Sequence, residues 1–358
     1  MLRTFFILIV LIHGLIHLMG FVKAFQLAPI QQLTKEISKP AGAMWLLAAL
    51  LFVVSVVLLL LKAGWWQVGL AAVVLSQVLI FTVWQDARFG TIANVILLIG
   101  VLIGFMQWRF ERGYREDVRI GLERTKALPA GTISEADLAP LPEPVQRYLR
   151  YAGVLNKPKI RGMRVVIEGG LREKGKEWMP FRSEQYNFFD VPTRLFFLKA
   201  TMKGLPVHGY HAYKDGRASM LIKLLSILPV ARAEGPDMNK AETVTYFNDL
   251  CLMAPPALID PKIKWEPIDD LSTRAIFTHQ GIAIRAVLYF NEKGQLINFR
   301  SDDRYALSEK KQLPFWTPAQ DYKDFNGYHI GSYGEARWEY PEGQFAYGTF
   351  NLKEVEYW

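Results

Sequence analysis

The sequence predicts an α+β protein: an N-terminal four-helix transmembrane bundle followed by a curved antiparallel β-sheet domain with a few helices. Two observations carry this. Residues 4–22, 40–61, 63–85 and 89–108 contain no Asp, Glu, Lys or Arg. Each run is about 20 residues, close to the length a helix needs to cross a hydrocarbon core. After Trp108 no such run recurs, and from Ile160 onward short β-rich runs alternate with turn residues. The expected divisions are 1–108 for the four spans, 109–140 for a basic juxtamembrane helix and linker, and 141–358 for the sheet domain.

Charge separates the same regions. The chain of 358 residues carries a net charge of +8, with 12 basic and 6 acidic residues up to Lys126 and 30 and 28 beyond it. The excess therefore belongs to the membrane part, which points to topology or anionic headgroups and gives no reason to expect nucleic acid. An N-terminus inside places Arg3, Lys62 and the flank Arg109, Arg112, Arg115, Arg119, Arg124 and Lys126 on the inner side. Lys23, Lys35, Lys39 and Arg88 then fall outside. The expectation is a multi-pass protein of the cell (inner) membrane with a cytoplasmic C-terminal domain; the exoplasmic side stays open. The first run is long for a signal-peptide core and no small-residue cleavage motif follows, so it is expected to be retained. A single cysteine, Cys251, precludes an internal disulfide.

The arginines of 109–126 recur every three to five residues around Val118, Ile120 and Leu122. That spacing predicts a helical extension of the fourth span lying against headgroups. His13 and His17 share one face of the first span. They could ligate a metal or haem, relay protons, or hydrogen-bond between helices held close by Gly14 and Gly20. The loop holding Asp86 and Arg88 lies on the same side as the loop after the first span. His17, Asp86 and Arg88 could therefore meet at one end of the bundle, with His13 next to them, or Asp86 could simply pair with Arg88 or cap the fourth span.

In the remainder, residues 128–142 read as a linker, residues 142–153 as a short helix, and 239–252 as a helix with Val244, Phe247, Leu250 and Cys251 on its apolar face. Strands are expected at 163–168, 178–189, 194–199, 207–214, 218–223, 274–278, 283–290, 296–305, 336–340 and 345–357. Short turns such as Asn291-Glu292-Lys293-Gly294 make the sheet antiparallel. A curved sheet with helices on one face would enclose an apolar cavity.

The run Leu141-Pro142-Glu143-Pro144-Val145-Gln146-Arg147-Tyr148-Leu149 resembles the opening of a bacterial family known only as a domain of unknown function. The likeness continues at Trp178, Pro180-Phe181, Glu184-Gln185-Tyr186, Asp215-Gly216, Met220, Trp265-Glu266, Asp269-Asp270, Phe290-Asn291 and Gly294. The domain is further similar to the lipoprotein-carrier fold, which implies an incomplete β-barrel that holds acyl chains. Such carriers work outside the cytoplasm, against the charge-based topology.

No Gly-x-Ser-x-Gly, His-Glu-x-x-His, Walker or Gly-x-Gly-x-x-Gly signature occurs, and no catalytic or metal residue is assigned. His208 and His211, three apart in a strand, face opposite ways. Arg182 and Glu184 share a strand face and, with Tyr186, could line the concave side and contact a polar headgroup, or could pair across strands on a solvated face; Tyr210 and Tyr213 could add aromatic wall or pack in the core. The acidic pairs Asp269-Asp270 and Asp302-Asp303 could bind a cation or simply end strands, with Arg300 and Arg304 neutralising the second. Three functions follow. The first is a non-enzymatic module binding a lipid or other apolar ligand. The second is a redox or hydrolytic enzyme using His13, His17, Asp86 and Arg88, its cofactor unknown. The third is a scaffold for an unknown protein partner.

Overall fold

The computed structural model describes residues 2–127, 131–307 and 309–358. Of the expected linker, residues 128–130 lie outside the described set. The chain divides into two compact units, Met1–Arg112 and Gly113–Trp358.

In the first unit the charge-free runs become α1 (Leu2–Ile16), α2 (Leu18–Ala24), α3 (Lys39–Leu60), α4 (Trp65–Thr82), the short α5 (Trp84–Ala87) and the start of α6 (Gly90–Lys126). Four helical stretches are long and apolar enough to cross a membrane: Arg3–Ala24, Lys39–Leu60, Trp65–Thr82 and Gly90–Lys126. Their outward faces are apolar, with Leu8, Ile12, Leu47, Val78 and Ile99 exposed, as a lipid-facing surface requires. The first stretch breaks at His17, where the hydrogen bonds tighten to three-residue steps, His17 to Gly14 at 3.1 Å and Gly20 to His17 at 3.2 Å. Beside the break, Gly20 lets α2 close on α3: a Cβ there would sit 2.3 Å from the Trp45 ring. The interior holds Val10, Phe52, Val56, Ala72, Val73 and Leu97 in one cluster and Leu33, Trp45, Ala48, Leu79 and Val83 in another.

The second unit opens with the last turns of α6, then α7 (Glu135–Leu138) and α8 (Glu143–Tyr151). Next comes an antiparallel run of β1 (Gly162–Leu171), β2 (Met179–Phe188), β3 (Thr193–Met202), β4 (Leu205–Lys214), β5 (Arg217–Leu224) and β6 (Leu228–Glu234). The chain then forms α9 (Pro236–Met253) before β7 (Ile263–Asp269), β8 (Ser272–His279), β9 (Ile282–Phe290) and β10 (Leu296–Ser301). Short strands β11 (Tyr305–Ala306), β12 (Lys311–Gln312) and β13 (Phe315–Trp316) lead to β14 (Ala319–Phe325), β15 (Tyr328–Tyr340) and β16 (Gly343–Tyr357). Apart from the small β11–β12 pair they form one sheet, in the order β6-β5-β4-β3-β2-β1-β16-β15-β13-β10-β9-β8-β7 with β14 on β15. The seam β1–β16 joins the first and last strands, Val165 opposite Val355. Strands β6, β7, β12, β13 and β14 are additions to the expected set; β6 and β7 end the strand order.

The sheet curls into a half-barrel about α9. That helix touches β4, β5 and β6 from one half of the sheet and β9, β10 and β15 from the other. A helix enclosed in this way is buried on every side, and every residue of 241–251 is buried. Its apolar side matches the expectation: Phe247 stacks on Phe277 at 5.4 Å and meets Phe299 at 6.0 Å. Pro236 in its first turn and Pro255-Pro256 after its last residue set its limits.

The opposite, convex face carries the 113–126 part of α6. Tyr114 stacks on Phe197 at 5.1 Å and meets Tyr210 at 5.6 Å, and Arg124 grips Asp190 at 2.7 Å. Gly121 allows the contact, because a Cβ there would stand 2.3 Å from the Phe188 ring. Tyr114, Val118 and Thr125 are buried. The segment therefore packs on the sheet, whereas arginine spacing alone had suggested a helix lying free against headgroups.

Candidate functional site

The polar side of α9 is as buried as the apolar side, and it builds the most concentrated chemistry in the second unit. Glu242, Thr245 and Asp249 recur at helical spacing and face β2 and β3. Arg194 of β3 meets Asp249 at 2.7 Å, Glu242 at 3.2 Å and the Gln185 oxygen at 3.0 Å. Gln185 donates to Asp249 at 2.7 Å, and Asn187 also donates to Asp249, at 3.3 Å. The two carboxylates hold the guanidinium charged against its burial. Burial in turn pushes the Asp249 carboxyl up, and Arg194 opposes that shift. Arg194 therefore has carboxylate partners enough to neutralise it.

Arg304, just after β10, is different. Its Nε donates to Thr245 at 3.2 Å and its Nη1 to the Tyr347 hydroxyl. Its guanidinium lies over Phe315 at 4.1 Å, Trp338 at 5.0 Å and Tyr347 at 5.9 Å. Among the described residues no carboxylate pairs with it. Aromatic faces and hydroxyls solvate a cation but do not neutralise it. The neutralising role expected of Arg304 falls elsewhere: Asp302 pairs with Arg300 at 3.1 Å and Asp303 with Lys240 at 2.7 Å.

His211 of β4 stands near both arginines; burial and these two cations push its pKa down to about 3. It is half-buried, as is Arg304. The register continues from Phe196 through His211 and Met220 to Ala233 across β3 to β6. Beyond Phe196 this row is partly open to solvent. The result is a half-exposed cationic corner with an apolar row leading from it. No sequence motif marks it, because Arg304, His211 and Tyr347 come from three distant strands or strand ends.

The residues singled out from sequence fall in different places. Arg182, Glu184, Tyr186 and Tyr210 lie on the convex face, not on the concave side expected for them. Their parity along the strands is opposite to that of Gln185, Asn187 and Arg194, which meet α9. There Arg182 pairs with Glu168, and Glu184 with Arg164 at 2.7 Å. Tyr210 donates to Asp117 at 2.6 Å, and Tyr186 is near Tyr114 at 6.4 Å. Tyr213 alone faces α9, buried and accepting from Thr243 at 3.0 Å. His208 bonds Ser226 at 2.8 Å on the convex side, away from His211.

In the first unit His13 and His17 do meet, through a chain of polar groups. His17 Nδ1 lies 2.8 Å from the His13 carbonyl, which makes Nδ1 the donor and Nε2 the acceptor for Ser76 at 2.9 Å. His13 Nε2 then donates to Asn94 at 2.9 Å. Asn94 passes to Gln77 at 3.0 Å, and Gln77 to Thr91 at 3.1 Å. Each polar group of this chain finds a partner, and the chain tethers α1, α4 and α6. Asp86 does not join them. It accepts from the backbone and side chain of Thr34 at 2.7 and 2.8 Å, bonds that hold its pKa below the usual carboxylate range. Arg88 lies over the Phe89 ring at 5.1 Å. Among the described residues no group of three or more His, Cys, Asp or Glu could hold a metal ion.

Four apolar helices followed by a curled antiparallel half-barrel closed on a single helix define the class of protein. The model of a family of unknown function, DUF6544, matches residues 131–350, and the chain belongs to that family. Among solved structures the chain is similar to a LolA-superfamily protein from Nitrosomonas europaea, at 10% identity and a TM-score of 0.33. That match covers 59% of this chain and 92% of the other. A beta-barrel-like protein of the domain of unknown function DUF1849 from Brucella abortus matches at 9% identity and a TM-score of 0.18, over 56% and 99% of the two chains. At that similarity neither informs on ligand or activity. No curated protein matches the sequence.

Proposed function

We propose that this chain is a non-enzymatic membrane protein whose C-terminal half-barrel holds an amphiphile with an anionic head. The four long apolar helices support the membrane location. The single observation that carries the ligand is Arg304, a half-exposed cation boxed by Phe315, Trp338 and Tyr347 without a carboxylate partner among the described residues. An anionic head supplies the missing charge, and a phosphate or carboxylate accepts from the guanidinium hydrogens that Thr245 and Tyr347 leave over. The row His211, Met220 and Ala233 offers its apolar tail a wall. Arg182, Glu184, Tyr186 and Tyr210 are engaged on the other face, so the head contact moves from them to Arg304.

Full-length protein purified in mild detergent is expected to retain an acidic lipid or fatty acid by native mass spectrometry. Arg304→Gln should lower its occupancy about ten- to a hundredfold, the loss of one charge-assisted contact. Arg182→Gln should leave it unchanged. A wild-type protein without an anionic amphiphile, or an R304Q protein that keeps it, would overturn the reading.

A further inference from the structure

The cations around the Arg304 corner are few, and most are already spent. Arg194 is held by Asp249 at 2.7 Å and Glu242 at 3.2 Å, and Lys240 by Asp303 at 2.7 Å. Arg304 is left with one positive charge and no carboxylate among the described residues. Its partner Thr245 lies between Glu242 and Asp249 on α9, so both carboxylates stand within one helical turn of it. Two carboxylates share the single cation Arg194, and this stretch of α9 has none to lend. A second negative charge on a bound head would therefore find no partner.

The other polar neighbour adds a donor without adding charge. His211 lies on the same strand face as Tyr213, with the Phe196 ring 5.6 Å away. Burial, Arg194 and Arg304 keep its imidazole neutral at physiological pH, and no hydrogen bond engages it among the described residues. A neutral imidazole has one N–H to give to a head oxygen. Further along β4, β5 and β6 this face holds no Lys or Arg: Lys214, Arg217, Lys223 and Arg232 fall on the opposite one.

We infer that the half-barrel discriminates heads by the amount of their charge. It takes a singly charged head, a carboxylate or a phosphodiester, and excludes the doubly charged head of a phosphate monoester. Arg304 makes the ion pair, and His211 sets the limit as a donor that brings no second cation. This rests on the Arg304 reading above.

The test titrates full-length protein in mild detergent with three amphiphiles of matched tail, read by native mass spectrometry. They are palmitate, palmitoyl lysophosphatidylglycerol and hexadecyl phosphate. At pH about 8 the monoester carries two charges and at pH about 5 one, since its second proton leaves near pH 6, whereas the diester carries one throughout. At the higher pH the monoester is expected to bind at least about tenfold more weakly than the diester, and at the lower pH the gap should close. His211→Lys should close most of the gap at the higher pH. Either singly charged head supports the inference, and the tighter of the two tells a fatty acid from a phospholipid as its source. A monoester held as tightly as the diester at pH about 8, by a protein whose R304Q variant loses both, overturns the charge limit and leaves the Arg304 reading standing. A gap that persists at pH about 5 also overturns it, because charge is then not its cause. A folded H211K protein with the wild-type preference overturns the role of His211. If none of the three binds, or R304Q keeps them all, the Arg304 reading fails and this inference with it.

Discussion

Arg194 is the residue on which the half-barrel interior is most exposed to damage. Its charge is neutralised by Asp249 and Glu242 out of water, and removing one partner of a buried pair costs more than the pair contributes. Asp249→Leu is expected to destabilise the fold by about 3–5 kcal/mol in denaturant unfolding, and recovery should require replacing both remaining members of the triad, Arg194→Met together with Glu242→Gln. A D249L protein as stable as the wild type would show that the pair is not buried as described. His211 gives the pH dependence. Its folded pKa is about 3 against an ordinary value of 6.5, so the unfolded chain binds the proton first. Its contribution is present above pH 6.5 and is lost as pH falls from there towards 3. His211→Gln should flatten that decline by up to about 1.4 kcal/mol per pH unit, read from thermal unfolding. Neither role was legible in sequence. An Asp or Arg in an amphipathic helix or a strand normally marks the solvated side, and only the wrap of the sheet makes that side interior.

Elements were legible in proportion to how one-sided their burial is. The four spans and the central strands of the sheet were visible because apolar content or alternation marks them directly. Strands β6 and β7 were not: as edges they bury little, and each carries a proline, Pro229 and Pro267, tolerated at an edge but a poor signal of strand. The 113–126 segment misled for a subtler reason. Its buried stripe is Tyr114, Val118, Gly121 and Thr125, of which two look polar or neutral, whereas its arginines are conspicuous. Gly121 is the weak point of that stripe. Gly121→Leu should force Phe188 aside and release the segment, seen as faster amide exchange over 113–126 with the strands beneath it unchanged. Equal protection in the variant would mean that the ring gives way at no cost.

At the scale of the whole molecule, the candidate site was the part least legible, because Arg304, Thr245 and Tyr347 are brought together only when both halves of the sheet close on α9. Sidedness is an expectation that the sequence alone carries: by the positive-inside rule the basic residues flanking the spans favour a cytoplasmic C-terminal unit. A cysteine at Lys174, in the exposed β1–β2 turn, should react with an impermeant maleimide only after cells are opened. Labelling in intact cells would put the half-barrel outside.

The β1–β16 seam has a kinetic consequence. Arg164 of β1 bonds Glu356 of β16 across a sequence separation of 192 residues. During synthesis β1 to β6 can pair as successive hairpins almost at once, but the free edge of β1 must wait for the last strand to leave the ribosome. Until then the interior side of α9 has only half a wall, and two long strand edges are open to the wrong partner. Contacts so distant in sequence make the final closure the slow event of folding. The chain is therefore most vulnerable to aggregation after β15 has emerged and before β16 arrives.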